Sequence, residues 1–224
     1  MTALLELDDI AFAYPGSPAL RGVSLALEAG ETVALTGPTG SGKSTLLLVA
    51  AGLLTPASGT VRFASQDVAD LDSGARARLR RTEIAVVLQF GQLVPDLTAL
   101  DNIALPLLLD GHKPPQAREI ATQWLDRVGL SAVADHRAQE LSGGQSQRAA
   151  IARSLVTSPR LILADEPTAS LDRAGAEEML ALLRDAADGG VAVILVTHDN
   201  TVSARAGREV LLRDGVVEHE ISLR

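Results

Sequence analysis

The sequence predicts an α/β fold with a mostly parallel sheet, an N-terminal antiparallel β layer and an inserted helical lobe. Three observations support this prediction. Short runs rich in Val, Ile and Leu recur along the chain, as in strands that are buried on both faces. A Gly-rich loop separates one such run from an apolar helix. Between residues 89 and 159 the β-like runs stop and helical periodicity replaces them.

The antiparallel layer is predicted from the first part of the chain. Alternating or continuous β-like runs are separated there by Gly, Pro and Ser turns. These runs cover residues 4–13, 23–27, 32–36 and 60–63. We therefore expect all four in one N-terminal layer.

The core elements follow the Gly-rich loop. Residues 44–53 are predicted to form a buried apolar helix, with an exit turn over residues 52–59. The runs 84–88, 161–164 and 191–196 are short and aliphatic, which is typical of central parallel strands.

Helical periodicity predicts three helices over residues 97–109, 115–128 and 144–157. Pro115 suits a helix start and Gly129 suits a C-terminal cap.

A chain of 224 residues fits one large domain. We expect a single domain over residues 1–224, with a core at 1–88 and 160–224 and a helical lobe at 89–159.

Composition limits the possible partners. Twenty basic and twenty-eight acidic residues leave a net charge of −8, which disfavours broad nucleic-acid binding. The absence of Cys excludes disulfides, thiol catalysis and a Cys-ligated metal.

The first nine residues carry acidic side chains where a secretory signal is apolar, so we expect no export signal. The most apolar stretches, 44–54 and 100–109, are too short to span a bilayer, so we expect any membrane contact to be peripheral or through a partner.

A phosphate-binding motif, Gly-x4-Gly-Lys-Ser, lies between the predicted strand and helix. Its backbone N–H groups converge on a polyphosphate, Lys43 reaches the β and γ oxygens, and Ser44 offers a hydroxyl to Mg²⁺. A plain Gly-rich surface turn would not require a strand before it and a helix after it. We therefore predict a P-loop NTPase core. The candidate nucleotide-binding residues are Gly37, Pro38, Thr39, Gly40, Ser41, Gly42, Lys43, Ser44 and Thr45.

Two carboxylates, Asp165 and Glu166, follow a buried aliphatic run. Ligands of open α/β sheets gather at such strand ends. Asp165 is the candidate that holds Mg²⁺ through water, and Glu166 is the candidate that polarises the attacking water. The alternative is a pair of exposed acids at a strand end.

A second candidate anion receptor comes about a hundred residues after the first. Ser142, Gly143, Gly144 and Gln145 precede a helix rich in Ala and Arg, and a helix N-terminus attracts anions. Within one monomer a second phosphate receptor would be redundant, and the alternative is a plain Ser-Gly-Gly loop.

Together with Gln147-Arg148 and Ile151-Ala152-Arg153, these motifs resemble the nucleotide-binding subunit of ATP-binding cassette (ABC) proteins along nearly the whole chain. The resemblance implies an ATPase that uses ATP and Mg²⁺. It also implies a head-to-tail homodimer, formed on ATP binding, in which the Ser142–Gln145 segment closes on the γ-phosphate of the opposite subunit.

The resemblance implies further roles, although each residue type is also common in purely structural positions. Tyr14 matches the aromatic that stacks on adenine. Gln89 matches a residue that senses Mg²⁺ and γ-phosphate and links the core to the helical lobe. His198 matches the switch histidine that contacts γ-phosphate and supports Glu166. Asp172 matches an aspartate that crosses the dimer interface, although Ala169-Ser170 before it departs from the frequent Ser-Ala order.

The implied catalytic residues are therefore Lys43, Gln89, Glu166 and His198. The implied metal-site residues are Ser44, Gln89 and Asp165.

The sequence of residues 87–106 is similar to that of the ABC branch whose members serve lipoprotein release, macrolide and peptide efflux, and cell division. The resemblance implies a cytoplasmic ATPase that lies on the inner face of the cell membrane through an integral membrane permease, with no membrane span of its own. One alternative is a soluble ABC ATPase that acts as a scaffold or mechanotransmission switch. Another is a small-molecule phosphotransferase, which would leave the Ser142–Gln145 segment without a purpose.

Overall fold

The computed structural model describes residues 3–89 and 92–223. Its strands are β1 (Leu5–Tyr14), β2 (Ser17–Leu27), β3 (Thr32–Thr36), β4 (Ser58–Phe63), β5 (Gln66–Asp67), β6 (Ile84–Val87), β7 (Leu161–Asp165), β8 (Ala192–Val196), β9 (Arg208–Arg213) and β10 (Val216–Ser222). Its α-helices are α1 (Lys43–Ala50), α2 (Ser73–Thr82), α3 (Ala99–Leu109), α4 (Pro114–Arg127), α5 (Gly143–Leu155), α6 (Arg173–Asp188) and α7 (Asn200–Ser203).

These strands form two sheets, and the predicted α/β fold is confirmed. The four-stranded sheet has the order β2-β1-β4-β5 and is antiparallel throughout. The six-stranded sheet has the order β10-β9-β3-β8-β7-β6. Its neighbours run parallel except for β10, which pairs antiparallel with β9. The carboxyl ends of five parallel strands therefore meet at one edge of this sheet.

The placement of residues 32–36 in the antiparallel layer is wrong. This run is β3, which lies between β8 and β9 in the six-stranded sheet. The physical reason is its burial: Val33, Ala34 and Leu35 are each fully buried, as expected of a parallel strand covered on both faces. By contrast, β2 alternates buried and exposed residues along its second half, as one covered face requires.

The core consists of two apolar layers on opposite faces of the six-stranded sheet. Successive residues of the central strands point to opposite layers: Leu163 belongs to the layer that contains α1 and the antiparallel sheet, and Ile162 belongs to the other. The second layer includes residues of α3, α4, α5 and α6. Helix α1 is therefore held between two sheets, which positions the loop before it.

The three helices predicted between residues 89 and 159 are confirmed as α3, α4 and α5. Thr98 caps α3 by accepting a hydrogen bond from Asp101 N, and Pro114 begins α4. Gly129 follows α4 with φ of 64°. That these helices form a separate lobe over residues 89–159 remains a prediction.

Six of the described elements were not predicted: α2, α6, α7, β5, β9 and β10. A local signal existed for two of them. Asp214 and Gly215, which connect β9 to β10, both have positive φ (49° and 79°), and Asp-Gly is a favoured two-residue hairpin turn. Within residues 3–89 and 92–223, no helix has the length and apolar character needed to cross a membrane.

Candidate nucleotide site

The phosphate loop connects β3 to α1 at the carboxyl edge of the six-stranded sheet. Gly37 has φ of 137°, and a Cβ there would lie 2.0 Å from the Leu212 carbonyl oxygen. Gly42 has φ of 103°, and a Cβ there would lie 2.5 Å from the Ala19 carbonyl oxygen. Both positions require glycine because the loop packs directly against neighbouring backbone.

Lys43 folds over this loop. Its Nζ donates hydrogen bonds to the carbonyl oxygens of Gly37 and Pro38, both at 2.8 Å. Burial lowers the pKa of Lys43 from its usual value, whereas the negative charges of Glu166 and Asp165 act in the opposite direction. The ammonium therefore lies in the loop and within electrostatic reach of both carboxylates.

The N-terminus of α1 fits a phosphate ligand. Gly42 is its N-cap residue, and among the described residues no side chain caps it. The first N–H groups of the helix consequently retain hydrogen-bonding capacity, and the helix dipole adds partial positive charge beside Lys43. The predicted loop residues Pro38, Thr39 and Gly40 are exposed.

Tyr14 lies close to the same helix. Its hydroxyl is 3.5 Å from Thr45 Oγ1, and its ring meets Phe12 edge to face with centroids 5.0 Å apart. The Tyr14 side chain nevertheless remains 43% exposed. An aromatic surface is therefore available beside the phosphate loop, while the buried Thr45 anchors it.

The two carboxylates lie at the end of β7. Asp165 is its last residue and pairs with Val196 of β8. Glu166 has φ of 48°, in the left-handed region, and its N–H donates to the Val196 carbonyl at 2.9 Å. The hydrogen bond thus holds the backbone where the chain turns away from the sheet.

Glu166 contacts His198, as the resemblance implies for a supporting histidine. Glu166 Oε1 lies 2.6 Å from His198 Nδ1. The carboxylate is largely covered, with 13% of its side chain exposed, whereas the His198 side chain is 76% exposed. The imidazole therefore extends toward solvent from a fixed carboxylate.

The donor set near the loop fits Mg²⁺. Among the described residues no cluster of three or more His, Cys, Asp or Glu could enclose a metal ion. Mg²⁺ suits such a sparse set, since it keeps several waters and is commonly held by one or two protein oxygens together with phosphate. Ser44, exposed at the start of α1, and Asp165 would supply those protein oxygens.

The second predicted receptor forms the start of α5. Ser142 Oγ accepts from Gln145 N at 3.2 Å, and Gln145 Oε1 accepts from Ser142 N at 2.8 Å. This reciprocal capping box fixes the entry to the helix. A Cβ added at Gly144 would meet the Ser170 carbonyl oxygen at 3.4 Å, so the segment packs against the stretch before α6.

Asp172 lies with this second receptor. It caps α6 by accepting from Gly175 N at 2.8 Å, and it lines an open cavity of about 390 Å³ with Ser142, Gly144 and Gln145. Among the described residues, no hydrogen bond or ion pair joins this cavity to the phosphate loop. The predicted residues therefore form two groups.

Gln89 is exposed in the turn after β6. Within residues 87–106, the stretch that resembles one ABC branch, Phe90 and Gly91 lie outside the described residues. Sequence reasoning missed Ala19 and Leu212, whose carbonyls confine the phosphate loop. No local signal identifies them, because each comes from a strand distant in sequence.

A protein-family model described as ABC transporter matches residues 20–169, more than half of the chain. The chain belongs to the ABC transporter family. The family membership predicted from the sequence is confirmed. The predicted ATPase activity and the predicted cofactors, ATP and Mg²⁺, are also confirmed.

Solved structures of ABC cassettes agree with this assignment. The dimeric post-hydrolysis structure of the ATP-binding cassette MJ0796 bound to ADP and Pi has a TM-score of 0.94 and 38% identity, covering 98% of this chain and 99% of that one. A second dimeric structure of MJ0796, a bacterial ABC transporter cassette, has the same values. CbiO1 from Clostridium perfringens, part of the ABC transporter complex cbiONQ, has a TM-score of 0.85 and 28% identity, covering 100% of this chain and 90% of that one.

Proposed function

We propose that this cassette dimerises on ATP binding and drives a separately encoded membrane permease. The observation that carries the proposal is the separation of two anion receptors. Lys43 and the N-terminus of α1 form one, and the capped start of α5 forms the other. A second copy of the chain, placed head to tail, would bring the second receptor to the nucleotide held by the first.

The first group of residues binds and orients the nucleotide in this proposal. The phosphate loop and Lys43 hold the β and γ oxygens, and Tyr14 stacks on adenine. Ser44 and Asp165 would hold Mg²⁺, which would supply positive charge against the negative charge that develops during phosphoryl transfer.

Hydrolysis itself requires a positioned water. Glu166 accepts a hydrogen bond from that water, and His198 orients Glu166 through the 2.6 Å contact. Gln89 would sense Mg²⁺ and γ-phosphate, as the resemblance implies. Ser142, Gly143, Gly144 and Gln145 act on the nucleotide of the opposite subunit, and Asp172 crosses the interface.

The ATP-driven dimer performs work only if ATP binds the closed state more tightly than the open one. The permease converts that closure into movement. The dimers of MJ0796 and the placement of CbiO1 in a transporter complex support a dimer with membrane partners. The cassette would then lie in the cytoplasm, peripheral to the inner face of the membrane.

The sequence of residues 87–106 favours export or release of lipoproteins, peptides or drugs over import. Part of this stretch lines a groove between α2, α3 and α5, through Leu105 and Pro106. We assign this groove to the permease, because it lies apart from both anion receptors.

Purification from gentle detergent extracts tests the proposal. We expect an integral membrane protein to accompany the cassette, and a permease with four membrane helices and a large outer domain would support export or release. Copurification of an importer with many membrane helices would instead assign the cassette to an import branch of the family. Recovery of the cassette without any integral membrane protein would instead support a soluble scaffold or switch and contradict the transport function.

A further inference from the structure

The backbone around His198 is tied to the short helix α7 that follows it. Asp199 caps this helix, because its Oδ1 accepts hydrogen bonds from Thr201 N and Thr201 Oγ1, both at 2.7 Å. Asp199 N in turn donates to Oγ1 of the buried Thr197 at 3.1 Å. Both neighbours of His198 are therefore hydrogen-bonded, and the position of α7 sets the position from which the imidazole extends.

The apolar packing beneath α7 is incomplete. A cavity of about 200 Å³ lies between α6, α7 and the strands β3 and β8. Its lining includes Leu183 of α6, Leu195 of β8 and Val202 of α7. Such a cavity leaves part of each lining side chain without protein atoms to pack against. Apolar contacts therefore hold α7 less firmly than a filled core would.

A bidentate ion pair joins the turn after α7 to α6. Arg205 Nη1 and Nη2 donate to the two carboxylate oxygens of Glu177 at 2.6 and 2.5 Å. The hydrogen bond between them lowers the pKa of Glu177 and raises the pKa of Arg205 from their usual values, so both groups are charged at neutral pH. An exposed ion pair contributes little to stability, but two parallel hydrogen bonds fix the relative orientation of the groups.

Glu177 lies in the second turn of α6, close to the second predicted anion receptor. Asp172 is the N-cap of this helix, and Glu178, the next residue after Glu177, lines the cavity that also includes Asp172 and Ser142. One helix therefore borders the second receptor and also binds the segment that carries His198.

We propose that Arg205 and Glu177 are positioning residues for hydrolysis, and that their ion pair holds α7 so that His198 stays in contact with Glu166. The inference rests on the proposed function, because it requires that His198 orients Glu166 during catalysis. It adds the contact that keeps the imidazole in place although the packing under α7 is incomplete. Neither Arg205 nor Glu177 touches the nucleotide, and both act through His198.

Removing the guanidinium tests the proposal. Arg205→Ala should lower kcat and leave KM for ATP nearly unchanged, because the phosphate loop is untouched. A misplacement of about 1 Å can cost roughly 10²-fold in rate, and since His198 loses only one restraint we expect kcat to fall roughly threefold to tenfold. KM should change by less than about twofold. Steady-state ATPase assays of the cassette measure both constants.

Arg184→Ala is the matched control. Arg184 is exposed on the same helix as Glu177, and its charge also lowers the pKa of Glu177. Within residues 3–89 and 92–223 its side chain makes no hydrogen bond or ion pair. Arg184→Ala thus removes a nearby positive charge without removing a contact, and kcat should stay within about twofold of the wild-type value.

A double-mutant cycle separates positioning from a purely structural role. If Arg205 acts through His198, Arg205→Ala should change the residual kcat of His198→Ala by less than about 1.5-fold. An independent structural effect would lower kcat by the same factor in both backgrounds. Combining Arg205→Glu with Glu177→Arg should restore kcat, because it forms the same pair in reverse, whereas each reversal alone brings like charges together. If Arg205→Ala does not fold, Arg205→Lys provides the comparison, since it keeps the charge but not the two parallel hydrogen bonds.

The outcomes distinguish this inference from the function on which it rests. If His198→Ala hydrolyses ATP with the wild-type kcat, the proposed role of His198 fails and the inference fails with it. If His198→Ala lowers kcat and Arg205→Ala does not, or if Arg205→Ala lowers kcat equally with and without His198, the inference alone is overturned.

Discussion

At the scale of single residues, the decisive contact is the one between Glu166 and His198. The Glu166 backbone is held by its hydrogen bond to Val196, and its carboxylate contacts the His198 imidazole, which extends to solvent. Lys43 lies in the phosphate loop at the same edge of the sheet. Binding and turnover should therefore depend on different side chains within one site.

Glu166→Gln should preserve ATP binding and abolish most turnover. The amide has nearly the same shape but is a poor proton acceptor, and general-base catalysis contributes roughly 10²- to 10⁴-fold to a rate. We expect a stable ATP-bound dimer, detected by size-exclusion chromatography, and turnover reduced by at least about 10²-fold. Lys43→Ala is the matched variant, because it should weaken nucleotide affinity itself. Normal turnover in Glu166→Gln would remove Glu166 from its proposed role.

At the scale of elements, Asn102 connects α3 to the loop that precedes it. The residue is fully buried, and its Oδ1 accepts from Val94 N at 2.8 Å. Its Nδ2 donates to the carbonyl oxygens of Val94, Leu97 and Thr98 at 3.1 to 3.3 Å. One amide side chain thus adds four hydrogen bonds to the backbone of the loop before α3.

Asn102→Ala should destabilise the cassette by about 2 kcal/mol, because it removes a fully buried amide that makes four hydrogen bonds to the preceding backbone and leaves Val94 N without its acceptor. Chemical denaturation monitored by circular dichroism measures this change. Gln123→Ala removes an amide from an exposed position of α4 and should change stability by less than about 0.5 kcal/mol. Equal effects of the two substitutions would show that the hydrogen bonds of Asn102 do not stabilise the loop.

At the scale of the whole molecule, the two predicted anion receptors lie on separate surfaces of the cassette. The cavity lined by Ser142, Gly144 and Asp172 does not include the phosphate loop. If catalysis requires both, hydrolysis must depend on the association of two copies.

The ATPase rate per protomer should therefore fall on dilution. Below the dissociation constant of the ATP-bound dimer, the rate should become proportional to protein concentration. A dilution series with constant saturating Mg·ATP measures this dependence. Ser142→Ala mixed with Glu166→Gln provides a control, because the composite arrangement leaves one of the two mixed sites with both wild-type residues. A constant rate per protomer down to extreme dilution would contradict the shared site.

Much of the site could be predicted because its motifs are local. Loop and helix N-terminus are contiguous at Lys43, and Asp165 and Glu166 directly follow a buried run. Burial on both faces of a run is also a local signal, yet residues 32–36 were assigned to the wrong sheet. Sheet membership depends on pairing with β8 and β9, more than 150 residues later, and no spacing within the run reports that pairing.

From its residues alone this chain could be assigned a P-loop core, an ATPase chemistry and a place in the ABC family, since each depends on short motifs of fixed spacing. Only the tertiary structure shows that the Leu212 and Ala19 carbonyls confine the phosphate loop and that the two predicted anion receptors lie apart. These features arise from packing between segments distant in sequence, where the environment of a group depends on what surrounds it in space.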